Sequence, residues 1–178
     1  MHPRRAGVTH APPLIVLMGV SGSGKSTIGQ RLAARLHVEF LEGDALHPGR
    51  NVRKMQAGHP LSDADRRPWL QAIARRLARA RRRGRGLIVA CSALKRRYRQ
   101  SLRAAAPELV FVHLTGKRAT LERRLGRRRG HFMPPALLAS QLATLEPLEP
   151  DERGVTCPIE GRQGAILARI VKDLRREG

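Results

Sequence analysis

The most specific chemical signal in the sequence is a glycine-rich stretch near the amino terminus, "GVSGSGKST". It satisfies the pattern G-x-x-x-x-G-K-[ST], with an apolar run before it and a helical pattern after it, as a phosphate-binding loop requires. In such a loop the backbone N–H groups point at phosphate oxygens, the lysine contacts the outer phosphates, and the hydroxyl ligates Mg²⁺. We therefore predict a site for a nucleoside triphosphate and Mg²⁺, with Lys25 catalytic and Ser26 a metal ligand. The predicted phosphate-binding residues are Gly19, Val20, Ser21, Gly22, Ser23, Gly24, Lys25, Ser26 and Thr27.

Alternating strand and helix patterns must position this loop. Apolar runs predict strands over 12–20, 38–44, 86–94, 108–116 and 154–159. Helical patterns cover 26–36, 62–84, 95–106, 118–125, 136–146 and 164–176. The alternation predicts an α/β fold, a three-layer sandwich whose mostly parallel sheet binds ligands beyond the carboxyl ends of its strands. We expect a disordered tail over 1–13 and a single domain over 14–178.

The charge of the chain raises nucleic acid as a partner. The formal net charge is +21, and neutralisation of phosphates dominates protein–nucleic acid affinity. However, most of the basic residues are arginines scattered through helical segments, and the few aromatic residues are not interleaved with a basic ridge. We therefore expect no nucleic-acid partner. A basic nucleic-acid-binding protein that uses ATP only as a regulator remains an alternative from another class.

Other bulk features indicate a cytoplasmic protein. No apolar run approaches the roughly 18 to 20 residues of a membrane span, so no membrane partner is expected. Residues 1–13 lack the apolar stretch of a secretion signal. Cys91 and Cys157 lie in apolar runs without metal-ligand spacing, which favours buried thiols.

Elimination among nucleotide-binding classes favours a small kinase. A switch GTPase needs a guanine-reading N-K-x-D motif, which the sequence lacks. A motor or AAA-type ATPase typically has an acidic pair at the end of a strand, whereas "LIVACSALK" ends in Cys-Ser. A kinase that phosphorylates a small acceptor remains.

Five ordered stretches carry a family resemblance: "MGVSGSGKST", "FLEGDALHP", "NVRKMQAGHPLSDADRRPWL", "IVACSALKRRYR" and "RRRGHFMPPALLASQLATLEPLEPDER". Over residues 14–153 the chain resembles the gluconate kinases of the P-loop, adenylate-kinase-like class. The resemblance implies ATP-dependent phosphorylation of D-gluconate at the 6-hydroxyl in carbohydrate metabolism, a five-stranded P-loop NTPase sheet, ATP and Mg²⁺ as cofactors, and a homodimer. "VTCPIEGRQGAI" departs from it by lacking the usual acid after the last strand, which leaves the adenine contacts open. A related small-acceptor kinase, for shikimate or a nucleoside monophosphate, is the alternative enzyme.

With gluconate as acceptor, the segment 44–70 is expected to bind the substrate. Asp44 is expected to orient the 6-hydroxyl and accept its proton, although a turn-capping role is the alternative. Glu42, where the family commonly has aspartate, is either a partner of Mg²⁺ or a plain strand residue. His47 is expected to donate to a hydroxyl, with a structural histidine as the alternative.

Four-residue spacings add further candidate substrate ligands. Arg50 and Lys54 share a helix face and could clamp the acceptor. Asp65 and Trp69 are also four apart, with Trp69 either walling the site or packing in the core. Lys95 and Arg99 follow "CSALK" and are expected to bind the acceptor carboxylate or hydroxyls, unless they form a solvated basic pair.

The loop over 123–135 is expected to form a lid, with a plain solvated basic loop as the alternative. Arginines delivered by its closure would neutralise charge on the transferred phosphoryl group. Arg124 and Arg127 are the candidate catalytic arginines, with Arg128 an open alternative. His131 is assigned to the substrate site by the family resemblance.

Overall fold

A computed structural model describes residues 11–126 and 137–177. Its five strands form one sheet in the order β2-β3-β1-β4-β5, with every pairing parallel. The strands are β1 Leu14–Met18, β2 Glu39–Glu42, β3 Leu87–Ala90, β4 Val110–Thr115 and β5 Gly154–Pro158. The predicted α/β class and five-stranded sheet are confirmed, and the sheet is parallel throughout.

Seven helices connect and cover these strands within the described residues. They are α1 Lys25–Leu36, α2 Gly49–Gln56, α3 Asp63–Arg82, α4 Arg96–Ala105, α5 Arg118–Gly126, α6 Leu137–Thr144 and α7 Gln163–Glu177. A 3₁₀ turn, Gly43–Leu46, links β2 to the chain leading into α2. None of the helices in 11–126 and 137–177 has the length and apolar content to cross a membrane.

Alternation along the central strands divides the core into two layers. In β1, Ile15 and Leu17 face the layer that contains α1 and α7, whereas Val16 and Met18 face the layer that contains α3 and α4. These four side chains are buried. Burial of both faces explains why the three inner strands β1, β3 and β4 are nearly continuous apolar runs in the sequence, whereas the edge strands β2 and β5 are more polar and more exposed. Cys91 and Cys157 are both free and buried, as predicted.

The predicted strands extend beyond the observed ones mainly at their carboxyl ends. The run 86–94 predicts a strand to Leu94, but β3 ends at Ala90. The chain then turns at Ala93, which has a φ of 42°, so the apolar residues after β3 pack in the core without strand pairing. The turn brings this segment beside the phosphate loop, where the N–H of Gly19 donates to the Ser92 carbonyl at 3.2 Å.

Glycine permits the close backbone approach at the end of β2. A Cβ added to Gly43 would lie 2.3 Å from the carbonyl oxygen of Ala90 on β3. The Gly43 carbonyl also accepts a 2.7 Å hydrogen bond from Trp69 Nε1. The end of β2 is thus fixed against both β3 and α3, directly before Asp44.

Candidate active site

The phosphate loop lies between β1 and α1. Gly22 and Gly24 have φ values of 82° and 89°, conformations that favour glycine. Gly24 is the N-cap of α1 and provides no side-chain hydrogen bond to its first turn. The N–H groups and positive dipole end of α1 are therefore directed at the loop, which is the arrangement of a phosphate site.

Two side chains of the loop fit a bound anion. Lys25 Nζ donates to the Val20 carbonyl at 3.0 Å, so the ammonium group lies across the loop. Ser23 Oγ is buried and has no hydrogen-bond partner among the described residues. Buried hydroxyls normally have partners, so this orphaned oxygen indicates a site that is completed by a ligand.

A groove extends from one side of the loop toward β5 and α7. Its lining combines loop residues Gly22, Ser23, Gly24 and Thr27 with Arg124, Ile159, Gln163 and Ile166. Arg124 Nη2 donates to the Ile159 carbonyl at 3.1 Å. Arg124 therefore lies on the side of the loop next to β5, and it is not among the residues that line the cavity around Lys25 and Asp44.

A cavity on the other side of the loop brings together several of the predicted catalytic and substrate residues. Ser21, Lys25, Asp44, His47 and Trp69 all line it. The remaining lining residues are Met55, Pro60, Leu61, Arg66, Ser92, Leu137, Ser140 and Gln141. A carboxylate, an imidazole and the phosphate-loop lysine thus face one space, as a phosphoryl acceptor site requires.

His47 is held as a neutral side chain in this cavity. Its ring stacks on Trp69 with centroids 4.2 Å apart and planes 14° apart. Burial, and to a smaller extent the nearby positive charge of Arg66, lowers the pKa of His47 from 6.5 to about 4. Its Nε2 lies 3.9 Å from Asp44 Oδ1. An uncharged imidazole beside a carboxylate suits hydrogen bonding to a hydroxyl group.

The pKa of Cys91 shows which charged groups lie near the end of β3. Burial raises the pKa of the Cys91 thiol to about 12, with Asp44 and Glu42 raising it and Lys25 lowering it as smaller electrostatic contributions. Two carboxylates and the loop lysine are therefore near the end of β3. Mg²⁺ favours oxygen ligands and takes one or two from protein beside substrate phosphates. Ser26 and Glu42 fit that donor set.

Lys54 and Asp65 pair with each other rather than opening into the cavity. Lys54 Nζ lies 2.7 Å from Asp65 Oδ2, and Asp65 also completes the capping box of α3 with Ser62. The hydrogen bond from Lys54, followed by those from Ser62, holds the pKa of Asp65 well below its usual range. Arg50 is exposed on α2 and does not line the cavity. The structure therefore does not form the expected Arg50–Lys54 clamp, and Asp65 acts as a cap and ion-pair partner.

The position of Arg99 corrects the prediction that it binds the acceptor carboxylate or hydroxyls. The residue is 1% exposed, and its guanidinium donates two 2.7 Å hydrogen bonds to the Glu152 carboxylate. It also donates to backbone carbonyls of Ala93, Leu94, Glu146 and Pro147. Because these acceptors occupy the guanidinium inside the protein, Arg99 anchors the chain after α6 and does not bind substrate.

Lys95 is also directed elsewhere. Its Nζ lies 3.1 Å from Asp63 at the start of α3, and it is not among the residues lining the cavity. The four-residue spacing of Lys95 and Arg99 places them one turn apart, with Lys95 as the N-cap of α4 and Arg99 inside that helix. It does not predict which protein surface covers that helix.

Arg66 and Gln141 are cavity residues that the sequence analysis missed. Arg66 lies on α3 one turn before Trp69, and its Nη1 is 3.3 Å from the Tyr98 hydroxyl. The helical spacing to Trp69 could have indicated Arg66. Gln141 is on α6, and its Oε1 accepts a 2.7 Å hydrogen bond from the Ser21 N–H. No local pattern links positions so distant in sequence.

The remaining candidates, Arg127, Arg128 and His131, lie outside the described residues, as does most of the predicted lid. Their predicted roles are unchanged by the structure.

The fold and the site together indicate the class of enzyme to which the chain belongs. A parallel sheet with a phosphate loop after β1, and a cavity that joins the loop lysine to a carboxylate after β2, are the features of a P-loop kinase for small acceptors. A family model described as an AAA domain matches residues 14–148.

Full-length relatives give the family. The chain is 46% identical over 166 residues to the gluconokinase of Gluconobacter oxydans (strain 621H), covering 93% of each chain. It is 44% identical over 168 residues to the thermoresistant gluconokinase of Escherichia coli (strain K12), covering 92% of this chain and 96% of the relative. A solved gluconokinase from Sinorhizobium meliloti 1021 shares 45% identity with a TM-score of 0.80, over 95% of this chain and 99% of that structure. The chain belongs to the gluconokinase family.

Proposed function

We propose that the protein transfers the terminal phosphoryl group of ATP to the 6-hydroxyl of D-gluconate, forming 6-phospho-D-gluconate and ADP. The observation that carries this proposal is that Lys25 of the phosphate loop and Asp44 of the acceptor segment line the same cavity. The acceptor is taken from the names of the relatives, which are gluconokinases 44% and 46% identical to this chain over 92% and 93% of its length. The cavity supplies a place where such an acceptor meets the terminal phosphate.

The proposed reaction follows from these groups. The 6-hydroxyl oxygen attacks the γ-phosphorus, the bond from that phosphorus to the bridging oxygen breaks, and ADP leaves. Asp44 orients the hydroxyl and accepts its proton as the new bond forms. Because the transition state of phosphoryl transfer is loose, positioning contributes more than proton removal. Lys25 and the loop N–H groups stabilise negative charge on the phosphates.

The other cavity residues support recognition of a sugar acid. We assign Arg66 to the gluconate carboxylate, because it is a cation in the cavity lining and arginine binds carboxylates with two parallel hydrogen bonds. His47 and Trp69 form the wall beside Asp44. Ser92 and Ser140 add hydroxyls that could pair with those of the polyol.

The proposal includes Mg²⁺ as the metal cofactor and a homodimer as the oligomeric state. Mg²⁺ bound by Ser26 and the phosphates would neutralise charge on the transferred group, with Glu42 as a further oxygen ligand. A homodimer and a cytoplasmic location remain predictions from the family resemblance and the sequence. Sedimentation of the purified protein measures the first.

A steady-state assay with a panel of acceptors tests the function. The panel contains gluconate, other sugar acids, shikimate and a nucleoside monophosphate, each with ATP and Mg²⁺. We expect turnover with gluconate to exceed turnover with the others. Absence of gluconate phosphorylation, or a better rate with shikimate or the nucleotide, would overturn the proposal.

A further inference from the structure

Asn51 is a buried polar residue of α2 that contacts His47. It is 1% exposed. Its Nδ2 donates a 2.7 Å hydrogen bond to the backbone carbonyl of Asp65 and lies 3.5 Å from Nδ1 of His47. Because both contacts belong to one amide nitrogen, they constrain the position of the proton on His47.

The orientation of the Asn51 amide follows from its contact with Asp65. In the opposite orientation, Oδ1 would take the place of Nδ2 and stand about as close to the carbonyl oxygen. Two acceptors would then face each other without a proton between them, which is unfavourable. The amide nitrogen therefore faces the carbonyl, and its second proton is available to His47 Nδ1.

The tautomer of His47 follows in turn. A neutral imidazole carries one proton, and the nitrogen that faces a donor must be the acceptor. Nδ1 is thus unprotonated and Nε2 carries the proton. Stacking on Trp69 fixes the plane of the ring, with Nε2 on the side of Asp44 Oδ1 at 3.9 Å.

We propose that Asn51 is a positioning residue that holds His47 in the Nε2–H tautomer, so that His47 and Asp44 present one donor and one acceptor to the same substrate hydroxyl. The 3.9 Å separation is too long for a direct hydrogen bond, and both residues line the cavity. A hydroxyl both donates and accepts, so it matches this pair. In the other tautomer it would meet two acceptors. The recognition step rests on the proposed function, whereas the tautomer does not.

Nitrogen NMR on protein labelled with ¹⁵N-histidine tests the tautomer directly. The spectrum is recorded at pH 7 without substrate, and His47→Gln identifies the His47 signals by their loss. We expect an unprotonated Nδ1 and a protonated Nε2. An Nδ1–H tautomer or a doubly protonated ring would overturn the proposal. This result is independent of whether the protein phosphorylates gluconate.

Asn51→Asp tests the consequence for recognition. A carboxylate offers only acceptors, so the proton of His47 should move to Nδ1, as the same NMR experiment would record. We expect the KM for gluconate to rise about tenfold through loss of one matched hydrogen bond, and the KM for ATP to stay within about twofold. Gln56→Glu makes the same amide-to-carboxylate change at an exposed position on α2 and should change neither.

The outcomes separate this proposal from the function on which it builds. A folded Asn51→Asp variant with the wild-type tautomer, or with a changed tautomer and the wild-type KM for gluconate, contradicts it. If the variant does not fold, the wild-type spectrum alone decides the tautomer. If the wild-type protein does not phosphorylate gluconate, the proposed function fails while the tautomer assignment is still decided by NMR.

Discussion

The backbone N–H of Ser21 donates a 2.7 Å hydrogen bond to the side-chain Oε1 of Gln141, joining the phosphate loop to α6. Gln141 is 8% exposed and, with Leu137 and Ser140 of the same helix, lines the acceptor cavity. The element that follows the predicted lid therefore contacts both the nucleotide loop and the acceptor space. Its position relative to the loop should affect nucleotide binding.

Replacing Gln141 with leucine removes the acceptor for the Ser21 N–H. We expect the KM for ATP to rise about tenfold, since loss of a partly buried hydrogen bond costs on the order of 1 kcal/mol. Initial-rate kinetics with varied ATP measure the change. Gln100→Leu, at an exposed position on α4, is the control and should behave as wild type. An unchanged KM for ATP in Gln141→Leu would show that the contact does not support the loop.

Arg99→Leu should destabilise the protein strongly. It leaves the Glu152 carboxylate buried without its partner, and breaking a buried ion pair costs about 3–5 kcal/mol. Urea unfolding measures the free energy of unfolding. Arg118→Leu breaks an exposed Arg–Glu pair with Glu122 and should cost less than about 1 kcal/mol. Equal costs for the two variants would contradict the anchoring role of Arg99.

The histidines should make the fold sensitive to mild acid. Burial lowers the pKa of His47 and of His113 from 6.5 to about 4 in each case. Since the unfolded state binds these protons more readily, the free energy of unfolding falls as pH drops from about 6.5 to 4, by up to about 1.4 kcal/mol per pH unit for each histidine. Urea titrations across this range measure the slope. A free energy of unfolding that stays constant between these pH values contradicts this account.

His113→Leu separates the two contributions. Both ring nitrogens of His113 are buried and lack hydrogen-bond partners among the described residues. An apolar side chain of similar volume should therefore be tolerated at pH 7 within about 1.5 kcal/mol, and should reduce the acid-dependent slope. A slope equal to that of wild type would show that His113 does not titrate as the structure indicates.

Local patterns predicted the fold and the phosphate loop. The loop motif and its flanking strand and helix are contiguous, and the inner strands β1, β3 and β4 are apolar because both of their faces are buried. Asp44 and His47 also follow directly from the end of β2, so their place in the cavity could be predicted from where that strand ends. The boundaries were less accurate, as at the turn through Ala93, because an apolar segment can pack without pairing.

Other parts of the site depend on tertiary contacts that no local pattern records. Lys95 is the N-cap of the helix that contains Arg99, but the chain around Glu152 covers Arg99. The pairing of Lys54 with Asp65 joins two helices. The role of Gln141 requires knowing that α6 packs beside the phosphate loop. Sequence spacing identifies a shared face, whereas the partner of that face is set by the fold.

Asp44→Asn should lower kcat much more than it changes the KM for ATP. The amide keeps only one acceptor oxygen and no charge, so it orients the hydroxyl less well and cannot accept its proton, and loss of such a group typically costs about 10²- to 10⁴-fold in rate. Single-turnover measurements with gluconate and ATP report the chemical step. A rate within a few-fold of wild type would mean that Asp44 only positions the hydroxyl or caps the turn.

The most direct test of the central claim is to identify the product formed from ¹³C-labelled gluconate, ATP and Mg²⁺ by phosphorus and carbon NMR. We predict one phosphate ester on C6, formed in equal amount to ADP, and its loss in Lys25→Ala that retains the wild-type fold. Release of ADP without a phosphorylated sugar acid, a phosphate on another carbon, or unchanged turnover in Lys25→Ala would contradict the account.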